Sequence, residues 1–159
     1  MGMTPGVYFL AFRRGGTFLS AEAPEHAGEW IARYTPHSSS AVLLDGLWFT
    51  EAPPPREPLY GVAVDAKLAL DIGLDPAPEV SYLPPRSCVV TTVRFSYGDP
   101  DYTDAIRRVR AWAEPRGLRL QGGAFIRLTQ SLIASDDLQV RGLLYAPLKE
   151  DSAALAEVL

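Results

Sequence analysis

Cys88-Val89-Val90-Thr91-Thr92-Val93-Arg94-Phe95 is the stretch from which the fold is read. A run so dense in β-branched and aromatic side chains predicts a strand. Gly98-Asp99-Pro100-Asp101 follows, with aspartates suited to capping and a proline suited to a first helical turn. Tyr102, Ala105 or Ile106, Val109 and Trp112 or Ala113 then recur on one helical face, while Arg107, Arg108 and Arg110 fall on the solvated flank. Pro115 and Gly117 end that helix. Ala124–Thr129 predicts a second strand, Ser135-Asp136-Asp137 a turn, and Leu138–Leu148 a closing strand.

The same order is found on moving toward the N-terminus. Val7–Phe12 predicts a strand that Gly15-Gly16 ends. Pro24 opens a helix whose face carries Ala27, Trp30, Ile31 and Tyr34, and Pro36 stops it. Ala41–Thr50 and Leu59–Leu70 read as strands on either side of a proline-rich loop at 52–58. The expectation is an α+β domain built of two β-α-β-β pseudo-repeats, 1–74 and 78–150, with a short tail at 151–159. Asp75-Pro76-Ala77-Pro78 joins the two. One such module cannot bury both faces of its sheet. Two packed together can, and their seam makes a cleft.

Composition sets the outer limits. The chain has 159 residues, 47% hydrophobic and 21% charged, with a net charge of −4. A domain of this size needs no disulfide or metal to fold, and the single cysteine, Cys88, excludes a disulfide framework. The acidic balance argues against direct nucleic-acid binding and against an anionic membrane surface. No apolar stretch is long enough to span a bilayer, and no leader pattern is seen, so a cytoplasmic location is expected. The acidity lies in the first half, with five basic and nine acidic residues through position 78, then ten of each. His26 and His37 lack a third ligand at workable spacing, so no metal site is expected. Cys88 has no neighbouring histidine or lysine and reads as an inert core thiol.

Several segments, in order, resemble one known family. Leu83-Pro84, the strand into Phe95-Ser96-Tyr97-Gly98, the helix carrying Trp112, and the Arg116-Gly117-Leu118 turn form the first group. Asp137-Leu138-Gln139-Val140 and Leu144-Tyr145-Ala146-Pro147-Leu148 continue it. In the first half stand Phe12-Arg13-Arg14-Gly15, Gly46-Leu47-Trp48-Phe49-Thr50-Glu51 with Pro53, and Leu59–Val64. Together these resemble GyrI-like (gyrase-inhibitor-like) effector-binding domains. The resemblance implies duplicated SHS2-type β-α-β-β modules with a ligand cleft between them, and no cofactor. Some family members are effector domains of drug-sensing transcription activators. Others bind lipophilic, often cationic drugs, inhibit gyrase, or hydrolyse cyclopropane-containing toxins. No DNA-binding helix-turn-helix fits before Val7, so the resemblance implies a stand-alone version.

This sequence departs from the family at one point. Drug-binding members place a glutamate after the phenylalanine of the second module's middle strand, and a tyrosine two residues on. Here the segment is Phe125-Ile126-Arg127-Leu128, with Ile126 in the glutamate's place and Leu128 in the tyrosine's. That change argues against cation binding and against an enzyme.

The leading expectation is a cleft that binds a small hydrophobic or aromatic ligand. Its candidate residues are Trp48, Tyr60, Phe95, Tyr97, Ile126, Leu128 and Tyr145, since tyrosine and tryptophan offer a flat apolar face with a polar handle. A second expectation is a hydrolase with Asp45 or Glu51 as base and Tyr60 or Tyr145 as proton partner. A third is a protein-interaction module, such as a gyrase inhibitor, using the acidic first half.

Overall fold

The structure is a computed structural model that describes residues 2–4, 6–14, 17–18, 38–46, 48–49, 57–73, 80–96, 100–134 and 137–149. The strands are β1 (Gly2–Met3), β2 (Val7–Arg14), β3 (Thr17–Phe18), β4 (Ser39–Leu44), β5 (Leu59–Asp65), β6 (Ser81–Leu83), β7 (Ser87–Ser96), β8 (Ala124–Ala134) and β9 (Asp137–Pro147). Two α-helices are described, α1 (Ala66–Asp71) and α2 (Thr103–Ala113), and a 3-10 turn, Glu114–Arg116, extends the second. The expected helix around Trp30, the loop holding Glu51, Tyr97 and the tail at 151–159 lie outside the described residues. None of the described helices is long and apolar enough to cross a membrane.

All nine strands join one antiparallel sheet in the order β1-β7-β9-β8-β4-β5-β2-β3, and β6 pairs with β2 as well. The class is therefore α+β. In the first half the strands run β2-β5-β4, and in the second β7-β9-β8. The middle strands, β4 and β8, meet at the centre through Ala41–Leu44 against Ala124–Arg127.

Alternation gives each face its own core. A row of paired residues, Thr91–Leu144–Ile126–Val42–Tyr60, crosses five strands on one face. On that face α2 lays down the predicted stripe, with Tyr102, Ala105, Val109 and Ala113 buried against Val89, Val93, Ile126 and Leu144. The other face carries a second cluster of Val7, Phe9, Ala41, Ala63 and Phe125, flanked by Leu43, Leu59, Leu83 and Tyr145.

That second face is concave. In sheet order β1 and β2 are six strands apart, which is about 29 Å if the sheet were flat. Yet only Thr4 to Gly6 separate the two in sequence, and four residue steps reach at most about 14 Å. The same holds between β6 and β7, joined by Pro84, Pro85 and Arg86. The sheet must curl until its outer edges approach. A clasp joins the two connectors. The Thr4 amide donates to the Arg86 carbonyl (2.8 Å), and the Arg86 amide donates to Thr4 Oγ1 (2.7 Å). Thr4 is itself buried.

Boundaries differ from expectation where local chemistry intervenes. The strand expected over Leu59–Leu70 turns into α1 after Asp65, where Val62 and Val64 give way to the helix formers Ala66-Lys67-Leu68-Ala69-Leu70. The strand expected over Ala41–Thr50 stops at Leu44. Gly46 there takes a φ of 99°, open to glycine, and Trp48 and Phe49 sit in a turn. The Trp48 amide donates to the Gly122 carbonyl (2.7 Å), and its indole Nε1 to the Asp45 carbonyl (2.9 Å). β8 runs on to Ala134, past a bulge between Leu128 and Gln130.

Candidate functional site

The candidate residues divide between the two faces. Trp48, Tyr60, Phe95, Ile126 and Leu128 all join the core beneath α2, with Ile126 fully buried. Tyr102, at the N-terminus of α2, gathers three of them. Its ring lies edge-on to Phe95 (5.2 Å between centroids) and to Trp48 (6.1 Å), and its hydroxyl is 3.2 Å from that of Tyr60. Burial, with the Tyr60 hydroxyl beside it, pushes the Tyr102 phenol far above the usual tyrosine range. This cluster ties strands of both halves to α2. It is a packed aromatic core in which the hydroxyl of buried Tyr102 meets that of half-buried Tyr60.

Tyr145 lies on the concave face. Its ring stacks on Phe125 (6.2 Å), and Phe125 meets Phe9 edge-on (6.4 Å). Each strand step reverses the side chain, so Phe125 and Arg127 face the concavity while Ile126 and Leu128 face α2. Phe125 and Arg127 are the residues that motif comparison passed over. Parity separates them from Ile126 and Leu128, and the packing beneath α2 decides which pair faces the concavity.

At the clasped end of the concavity is a cavity of about 300 Å³. Leu43 and Phe125 form its floor at the β4–β8 seam, and Tyr82, Leu83 and Pro84 form a wall. Asp45, half-buried just beyond β4, reaches its lining. Asp45 and Tyr145 therefore belong to the concave side, whereas Tyr60 lies on the opposite face. Cys88 is buried beside β1, its Sγ 3.4 Å from the Gly2 carbonyl, and burial pushes the thiol up to about 11. At neutral pH it is a protonated, inert group, as expected of a core thiol.

Farther along the same face, Arg127 forms an ion pair with Asp65 on β5. To reach Asp65 its side chain must cross β4 and extend along β5. There the paired residues Ser39–Ala63 and Ala41–Gly61 offer only small side chains. Gly61 is fixed by the backbone as well, since a Cβ there would stand 2.0 Å from the Leu10 carbonyl oxygen. Arg127 Nε is buried and without a hydrogen-bond partner.

Comparison with protein-family models and with curated proteins finds no match for this chain.

Proposed function

We propose that this chain is a GyrI-like effector-binding domain, made of two duplicated β-α-β-β modules, that holds a lipophilic or aromatic small molecule on its concave face. Duplication is supported by the strand order, which in each half runs first, third, second and brings the two middle strands together. The observation that carries the binding reading is the cavity at the β4–β8 seam. Its floor is apolar and aromatic, and its volume of about 300 Å³ is at the small end of ligand pockets. Affinity would come from burying apolar surface and stacking on Phe125, with Asp45, Arg86 and Gln121 as polar groups of the lining.

A thermal-shift panel of neutral, cationic and anionic aromatic compounds tests this. At least one class is expected to raise the melting temperature, because a ligand of the native state at a hundred times its Kd adds about 2.7 kcal/mol. Absence of a shift from every compound overturns the reading. One observation favours hydrolysis as a second reading, namely that Asp45 lines the cavity. Asp45→Asn separates the two: a binding protein keeps its thermal shifts, while a hydrolase keeps binding and loses turnover.

A further inference from the structure

The concave face is polarised along its length. On β9, Tyr145, Leu143 and Arg141 succeed one another on this face, each two residues from the last. On β7 the residues opposite them are Val90, Thr92 and Arg94. At one end are Phe125 and the largely apolar cavity, whose lining holds one acidic and one basic residue, Asp45 and Arg86. At the other, Arg94 and Arg141 are direct cross-strand partners, both exposed. Like charges placed opposite each other destabilise a sheet. No carboxylate among the described residues offsets this pair; Arg94 Nε donates to the neutral Gln139 side chain (2.6 Å). The two arginines border a depression of about 380 Å³, where Thr92, Thr129, Gln130 and Arg108 add polar groups. Between the two ends Arg127 is matched by Asp65, and at the cavity Arg86 stands with Asp45, so among the described residues the excess positive charge lies at the far end.

We infer that the ligand of this face is an amphipathic anion, with an apolar body over Leu143, Tyr145 and Phe125 and a carboxylate or phosphate head on Arg94 and Arg141. This rests on the small-molecule reading given above. The arginine pair draws the head to its own end, whereas at the cavity end the acidic Asp45 and the basic Arg86 stand together, so the arginines set the orientation. The span from Tyr145 to Arg141 is four residues, about 14 Å, which suits a medium-length acyl chain or two fused or linked rings. A polyanion such as nucleic acid suits the face less well, because the surface is concave and the chain as a whole carries −4.

The test uses four probes with one ten-carbon body, all below their micelle-forming concentrations: decanoate, decyl phosphate, decanol and decyltrimethylammonium. Titration calorimetry on the full chain is expected to rank one or both anions at least tenfold above decanol and decanol above the cation. Which anion binds tighter identifies the head group. In the Arg94→Gln/Arg141→Gln variant the anion preference is expected to fall to within about threefold of decanol, while decanol binding is unchanged. That variant removes a repulsive surface pair, so it is expected to melt no lower than the parent. Equal binding of all four probes, or preference for the cation, overturns the charge inference and leaves the small-molecule reading standing. Binding of none overturns both. Binding of a single-stranded oligonucleotide through these arginines, with decanoate ignored, overturns the inference in favour of a polyanion.

Discussion

Ile126 and Phe125 are neighbours in sequence that serve different cores. Ile126 is fully buried beneath α2, and Phe125 forms the floor of the concave cavity. Truncating either side chain removes buried apolar contacts and is expected to cost about 2–5 kcal/mol in a denaturant melt. Only Phe125→Ala is expected to weaken ligand binding as well, and calorimetry on the two variants checks this. Equal loss of binding would mean that the faces have been assigned wrongly. The face assignment was hard to read from sequence for a physical reason. Three of the four residues Phe125-Ile126-Arg127-Leu128 are apolar, so alternation fixes two sets without saying which one α2 covers. Tyr102 was legible as a helix-face residue. Its role in joining Trp48, Tyr60 and Phe95 depends on where distant strands converge, and local pattern does not carry that.

At the scale of the element, α2 was the most legible feature. Its buried residues are those of the predicted stripe, because a 3.6-residue period over three turns is a strong signal. Its start was less so. The helix begins at Thr103, where the backbone amide donates to Asp101 Oδ1 (2.9 Å); the Thr103 side chain first, and this amide second, hold the Asp101 carboxyl below the usual aspartate range. A carboxyl depressed on folding stabilises the protein above its unfolded value, near pH 4, and the gain is lost as pH falls through the lower folded value. Asp101→Ala is expected to cost about 0.5–1 kcal/mol at pH 7 and less below pH 4, measured by thermal melts across pH. The reverse trend would disprove the capping role. Strands β2, β7 and β9 were also clear from their β-branched and aromatic content. β1 and β6 were not, since two or three residues hold no period and exist as strands only through their partners. The edge of β7 beyond β1 is partly covered, with Arg108 donating from α2 to the Thr92 carbonyl (2.6 Å). A capped edge of this kind resists pairing with a second chain.

Across the whole molecule, the strand–helix–strand–strand order was visible in the sequence but the curl was not. Curling follows from two three-residue connectors, which have meaning only once the sheet order is known. Thr4 is the residue that holds them. Thr4→Val keeps the shape and leaves the Arg86 amide without its acceptor, so a loss of about 1–3 kcal/mol is expected by chemical denaturation. Ligand affinity is expected to fall with it, because Thr4 also lines the cavity. Unchanged stability would show that the clasp is incidental.

The same connectors carry each half's short strand across to the other. β1 opens the first half yet pairs with β7, and β6 opens the second yet pairs with β2. A cut between residues 76 and 77 would therefore not release two tidy modules. Each fragment would keep an arm whose partner strand lies on the other, and both would expose the edges of β4 and β8 that were joined at the centre. The protein is in this sense already arranged as a split pair. Two fragments made separately have three independent sheet junctions through which to find each other, and the concavity proposed to hold a ligand would exist only in the reassembled complex.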